Sequence, residues 1–153
     1  MKRLGNILVL SLMALMLSPA PSASAQQSQE QMAAYYFDNG EFQQAEQLYE
    51  SLYKRTTNKY YYQRLYATYL QLGEFKEAAK LAEKRLKNYP KELPLYVDLG
   101  NAYLTQKQVK KAEKYFDRAI DAISADLSVV PDLAMAFVNI GRPDYACKTV
   151  NPN

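Results

Sequence analysis

The chain has 153 residues, with 19 basic and 16 acidic side chains, no histidine, no tryptophan and a single cysteine. Without histidine it lacks the commonest general base and neutral metal ligand, and one cysteine can build neither a cysteine-rich zinc site nor an internal disulfide. A formal charge of only +3 gives no electrostatic reason to expect nucleic acid as a partner.

Lys2 and Arg3 open the chain, residues 4–17 are nearly all apolar, and Ala23-Ser24-Ala25 has the small-x-small form of a cleavage site. This is the pattern of a secretory signal peptide over residues 1–25, with cleavage after Ala25 and export to the periplasm or beyond as the expectation. The apolar run, about 14 residues, is short for a membrane span. No cysteine stands near the cleavage point, so lipid attachment there is not expected. Loss of Lys2 and Arg3 leaves 17 basic against 16 acidic side chains, a net charge of +1.

From residue 26 onward one period organises the chain. Ala45, Ala78, Ala112 and Ala146 lie 33, 34 and 34 residues apart. Gly40-Glu41-Phe42 precedes the first alanine as Gly73-Glu74-Phe75 precedes the second, and Gly141 holds the same offset before the fourth. Tyr36, Tyr69, Tyr103 and Phe137 each stand nine residues before their alanine. A fixed period of this size marks stacked repeats, and here the units run approximately over 26–58, 59–92, 93–126 and 127–150. Each reads as two antiparallel helices, neither able to bury its apolar face without a neighbouring unit. Gly40, Gly73 and Gly141 suit the left-handed residue that ends the first helix of a pair. Lys107 replaces glycine in the third unit, so that turn is expected to be built differently. Pro94, Pro131 and Pro143 fall at helix starts, where a missing N–H costs nothing, and Pro90 follows a helix end. The fourth unit has a first helix near 130–140 and about two turns of a second before Asn151-Pro152-Asn153. Its short second helix either caps the stack or leaves an edge that docks on something, a second copy included; a chain shortened from a longer repeat protein is the third option.

The spacing Tyr96-x2-Leu99-Gly100-x2-Tyr103, followed by Ala112, Phe116 and Ala119, resembles the tetratricopeptide-repeat pattern, with Tyr96 where that family usually has tryptophan. The preceding copy reads Tyr62-x2-Leu65-Tyr66-x2-Tyr69, Gly73, Ala78, Ala82 and Pro90. Tyr66 takes the place of the usual small residue there, and Arg85 that of the usual second alanine, which implies looser or shifted helix packing. The outer copies match through Met32, Ala33, Tyr36, Ala45, Tyr49 and Leu52, and through Leu133, Ala134, Phe137, Gly141, Ala146 and Val150. The resemblance implies an all-α, right-handed helical-repeat solenoid of antiparallel helix pairs, with three full repeats and a partial fourth. It implies also a concave face, lined by the first helix of each repeat, that receives a peptide or protein. The family's groove positions fall on Tyr60, Gln63, Arg64, Ala67 and Gln71, on Val97, Asp98, Asn101 and Thr105, and in the flanking repeats on Glu30, Gln31, Ala34, Asp38, Met135, Val138 and Asn139. Among these Tyr60, Gln63, Arg64, Asp98, Asn101 and Asn139 are the expected partner contacts. The Lys and Asn positions of the family's carboxylate clamp fall on Glu30 and Ala34, which argues against capture of an acidic C-terminus by that route.

A second surface pattern lies on the second helices. Lys76, Lys80 and Lys84 fall at i, i+4 and i+8 and so share a helix face, continued by Lys87. Lys110, Lys114 and Arg118 repeat the stripe 34 residues later, joined by Lys111. Such a ridge could touch an acidic partner or anionic headgroups. Interleaved Glu77, Glu83, Glu113 and Asp117 make a solvated helix face the simpler reading, and no apolar wedge adjoins it for membrane insertion. Cys147 follows Ala146 in the last helix and reads as a small, partly buried residue. The five glycines are too scattered for a phosphate loop. No catalytic, cofactor or metal residues are assigned, and the chain reads as an interaction module: an adaptor or assembly factor. A structural, oligomer-forming module using the open C-terminal edge is the first alternative. An enzyme or small-ligand binder is the second.

Overall fold

Four turns of one kind divide the chain, described over residues 23–125 and 127–151 in a computed structural model, into helix pairs. Gly40, Gly73, Lys107 and Gly141 have φ of 78°, 74°, 61° and 72°. At each, the residue's N–H reaches the carbonyl three back, at Phe37, Leu70, Leu104 and Val138. The next N–H reaches five back, to Tyr36, Tyr69, Tyr103 and Phe137. This double closure satisfies the orphan carbonyls of a helix end. The expectation of a different third turn is therefore corrected. Lys107 adopts the same left-handed conformation, held by the same pair of hydrogen bonds, although a side chain there costs about 1–2 kcal/mol.

The elements are α1 (Ala23–Asp38), α2 (Phe42–Thr56), α3 (Lys59–Leu72), α4 (Phe75–Asn88), α5 (Pro94–Thr105) and α6 (Val109–Asp121). Two 3-10 turns follow, Ala122–Ala125 and Leu127–Val129, then α7 (Val130–Asn139) and α8 (Pro143–Val150). There is no strand among the described residues. α3 begins where Asn58 accepts a hydrogen bond from the Tyr60 N–H at 2.8 Å, an N-cap. Pro94, Pro131 and Pro143 sit in first helical turns, as expected. Of the proposed leader, residues 1–22 lie outside the described residues, and Ala23 to Ala25 form the first turn of α1.

The pairs α1–α2, α3–α4, α5–α6 and α7–α8 stack in chain order, with α3 packed on α2 and α5 on α4. The result is an all-α helical-repeat solenoid. At the last junction the connection is the longest, and α7 rests chiefly on α5. Ala45, Ala78 and Ala112 are wholly buried, and Ala146, in the last described repeat, only partly. Gly100 lets α5 press on α6: a Cβ there would lie 2.3 Å from the Phe116 ring. Phe116, Phe137 and Tyr145 pack ring to ring with centroids 5.1–5.5 Å apart.

The core has two parts that meet on α5. Leu95, Leu99 and Ala102 belong with the first two repeats, and Leu93 and Val97 with the last two. Val97, expected in the groove, is fully buried. α5 is covered on two sides, which leaves only a narrow open stripe. Cys147 departs from expectation in the other direction and is exposed. α3 and α4 are the least closely packed helix pair, in keeping with Tyr66 and Arg85 at positions the pattern reserves for small residues.

Candidate partner-binding face

The first helices of the four repeats present a stripe at helical spacing that stays out of the core. On α3 it runs through Tyr60, Gln63, Arg64, Ala67 and Gln71, on α1 through Gln31, Ala34 and Asp38, and on α7 through Met135 and Asn139. Tyr60 is 43 % exposed and stands edge-on to Tyr61, whose hydroxyl donates to Glu30 at 2.7 Å. Gln31, Gln63 and Gln71 make no side-chain hydrogen bond to any described residue. Their amides thus offer both donors and acceptors to a ligand. Asn139 is exposed at the end of α7.

Arg64 serves the fold more than the surface. Its guanidinium lies 4.2 Å from the Phe37 ring centroid, and its Nε donates to the buried Tyr49 hydroxyl at 3.0 Å. One terminal nitrogen sits 3.6 Å from Asp38. The side chain therefore ties repeat two to repeat one across their junction.

Asp98 and Asn101 come together at the next junction. The Tyr62 hydroxyl donates to the Asp98 carboxylate at 2.8 Å, and the Tyr66 hydroxyl to the Asp98 carbonyl at 2.6 Å. Asn101 donates in turn to the Tyr66 oxygen at 3.4 Å. Burial pushes the Asp98 carboxyl up to about 6, opposed by the Tyr62 hydrogen bond and the positive charges of Lys59 and Arg85. Burial also raises Tyr62 and Tyr66, so both stay protonated donors. Behind them Arg85, almost wholly buried, forms a two-point bridge to Glu92 with both contacts at 3.1 Å. It donates to the Thr57 carbonyl at 3.0 Å and stacks 5.0 Å from Tyr62 and 4.4 Å from Tyr89.

Sequence reasoning missed this polar cluster. Its signal was the pair of departures at Tyr66 and Arg85: the Tyr66 hydroxyl finds its partner across the α3–α5 junction, and the Arg85 guanidinium finds Glu92 and the Thr57 carbonyl in the loops before α5 and α3. The six expected contacts thus divide. Asp98 and Asn101 share one network, Arg64 belongs to another, and Tyr60, Gln63 and Asn139 are free on the surface.

The basic stripe is exposed throughout, with Lys76, Lys80 and Lys84 on α4 and Lys110, Lys114 and Arg118 on α6. Lys80 pairs with Glu77 at 2.7 Å, and Arg118 lies over Tyr96 at 5.2 Å. Lys76, Lys84, Lys110 and Lys114 have no ion-pair partner among the described residues. The face is not uniformly basic. Burial and the nearby charges of Glu74, Glu50 and Glu77, the last of them paired with Lys80, raise the Glu46 carboxyl.

No helix among the described residues is long and apolar enough to cross a membrane. Among solved structures, the protein described as MamA 41-end from Desulfovibrio magneticus RS-1 is 20 % identical with a TM-score of 0.53, over 83 % of this chain and 72 % of that one. The MamA RS-1 ArsTM double mutant gives 0.54 at 20 % identity, over 84 % and 73 %. Likeness at this identity speaks for the fold alone. No curated protein matches the sequence. Family models of the tetratricopeptide repeat match residues 31–92 and 69–129, together well over half of the chain. With four helix pairs in phase, four identical turns and these matches, the chain belongs to the tetratricopeptide-repeat family.

Proposed function

We propose that this chain is an exported adaptor or assembly factor that holds an extended segment of a partner protein along the stripe formed by α1, α3, α5 and α7. The observation that carries this reading is the set of exposed amides at Gln31, Gln63 and Gln71, unengaged within the described residues and aligned with Tyr60 as an aromatic anchor. An extended peptide has one donor and one acceptor per residue, and side-chain amides answer both. Export rests on the sequence pattern of residues 1–25, with cleavage after Ala25. N-terminal sequencing of the chain recovered from the cell envelope tests it, a mature start at Gln26 being the expected result.

The groove is tested by photo-crosslinking. A photoreactive amino acid at Gln63 or Gln71 is compared with the same residue at Lys114 on the basic ridge. Arg64 is unsuitable as a probe, since its loss would loosen the first junction. Crosslinks to one protein from positions 63 and 71, with none from 114, are expected. Crosslinks from 114 alone would move the binding surface to the ridge and overturn the groove.

A further inference from the structure

The two ends of the stack leave residues uncovered at positions that are buried wherever a neighbouring repeat exists. In one phase of the first helix stand Met32, Leu65, Leu99 and Leu133. The last three are at most 2 % exposed, whereas Met32 is 48 % exposed. Three residues further on, Thr68 and Ala102 are fully buried and their counterpart Tyr35 is 62 % exposed. α3, α5 and α7 each have a repeat before them; α1 has none among the described residues. The opposite end mirrors this. Tyr49, Ala82 and Phe116 are fully buried, and Val150 in the same phase is 75 % exposed. Phe37, Leu70 and Leu104 are partly buried, while their counterpart Val138 is 53 % exposed.

Charge separates the α1 end from an ordinary cap. A terminal repeat that faces water permanently needs a polar outer face. Between Ala23 and Phe37 the only charged residue of α1 is Glu30, and it is already bonded to Tyr61. The face that looks away from repeat two carries Ser28, Met32 and Tyr35, all exposed and none of them charged. Among the described residues no repeat packs before α1 and none after α8.

We infer that the chain associates head to tail with a second copy, α1 of one subunit packing on α7 and α8 of the next. Met32 and Tyr35 then cover Val138 and Val150, and the repeat register continues across the boundary. Because the two faces differ, the contact is heterologous, and every assembly that does not close into a ring keeps a free head and a free tail. The inference does not rest on the groove: Met32, Tyr35 and Val150 lie off that stripe, and Val138, also a family groove position, borders it at the far end of the stack.

Sedimentation velocity on the purified full chain over a concentration series tests this, together with Tyr35→Asp and Val138→Asp. Both substituted positions are exposed, and circular dichroism checks that helicity is unchanged. The native chain is expected to sediment faster as concentration rises, without stopping at a dimer, while each variant stays monomeric. An equimolar mixture of the two variants retains one intact head and one intact tail, so it forms dimers and nothing larger. A native chain that remains monomeric throughout overturns the inference. So does association that survives both substitutions, or a native dimer that the mixed variants cannot reproduce, which would mean a symmetric contact.

Discussion

Replacing Gly100 by alanine tests the account of how the third repeat closes. A Cβ at this position would lie 2.3 Å from Phe116 Cε1, 2.6 Å from Cδ1 and 3.1 Å from the Ala112 carbonyl oxygen. Carbon atoms pack best at about 3.5–4.0 Å, so the overlap with the ring exceeds about 1 Å. Phe116 is fully buried between Phe137 and Tyr145, with centroids 5.5 and 5.1 Å away, and the Arg142 guanidinium lies 5.3 Å from its ring. The ring has no room to swing, so α5 must retreat from α6. Overpacking of this kind costs about 1–3 kcal/mol, and here the upper part of the range applies because a backbone atom is also close. Alanine in a helix interior returns about 0.5–1 kcal/mol relative to glycine. The net expectation is a loss of about 2 kcal/mol, read in urea unfolding as a lower midpoint at unchanged slope. Phe116→Leu removes Cε1, the ring carbon of closest approach, and frees the rest to turn, so Gly100→Ala should cost clearly less in that background. A Gly100→Ala variant as stable as the native chain would refute the reasoning, as would an equal cost in both backgrounds.

Lys107→Gly relieves a left-handed lysine whose turn already has the glycine geometry, and it should raise stability by about 1 kcal/mol in the same assay. Gly73→Ala should lower it by a similar amount, by forcing a side chain into a φ of 74°. Asp98 sets a pH dependence. Its carboxyl binds a proton more tightly in the folded chain, at about 6, than at its ordinary 3.8, so its contribution is full below the lower value and lost as pH rises through the upper. Native stability should therefore fall between about pH 4 and pH 6 through this group, and Asp98→Asn should flatten that slope. Asn still accepts from Tyr62, so the variant should gain on the order of 1–2 kcal/mol near neutral pH, a figure reduced for the group's partial exposure. Urea melts across that range decide it, and an unchanged slope in Asp98→Asn would assign the dependence elsewhere.

Much of the fold was legible because the physics that builds it is local or periodic. Helices that approach closely need a small residue where they touch, and so Ala45, Ala78 and Ala112 announced the stacking at fixed intervals. A helix end needs a residue tolerant of positive φ, and so Gly40, Gly73 and Gly141 marked three turns. The fourth turn shows the limit of such reading. At Lys107 the same pair of hydrogen bonds outweighs the steric cost of a side chain, and residue type alone predicted the wrong geometry. The candidate face was legible as a stripe, but not the roles along it. The family resemblance placed Arg64 and Asp98 there. It could not show that Arg64 is drawn to Tyr49, or that Asp98 meets Tyr62 from the neighbouring repeat.

The amino-acid sequence by itself determined that the chain is a stack of helix pairs and in what order the helices come, since these follow from spacing within roughly one turn or one period. Only the tertiary structure decided which side chains are covered. Val97 is buried because α5 has repeats on both sides, Cys147 and Val150 are exposed because α8 has one on only one side, and Tyr66 and Arg85 fit because each finds a partner on another helix. Burial in a stacked chain is set by what the next repeat brings, and a position's own residue does not carry that information.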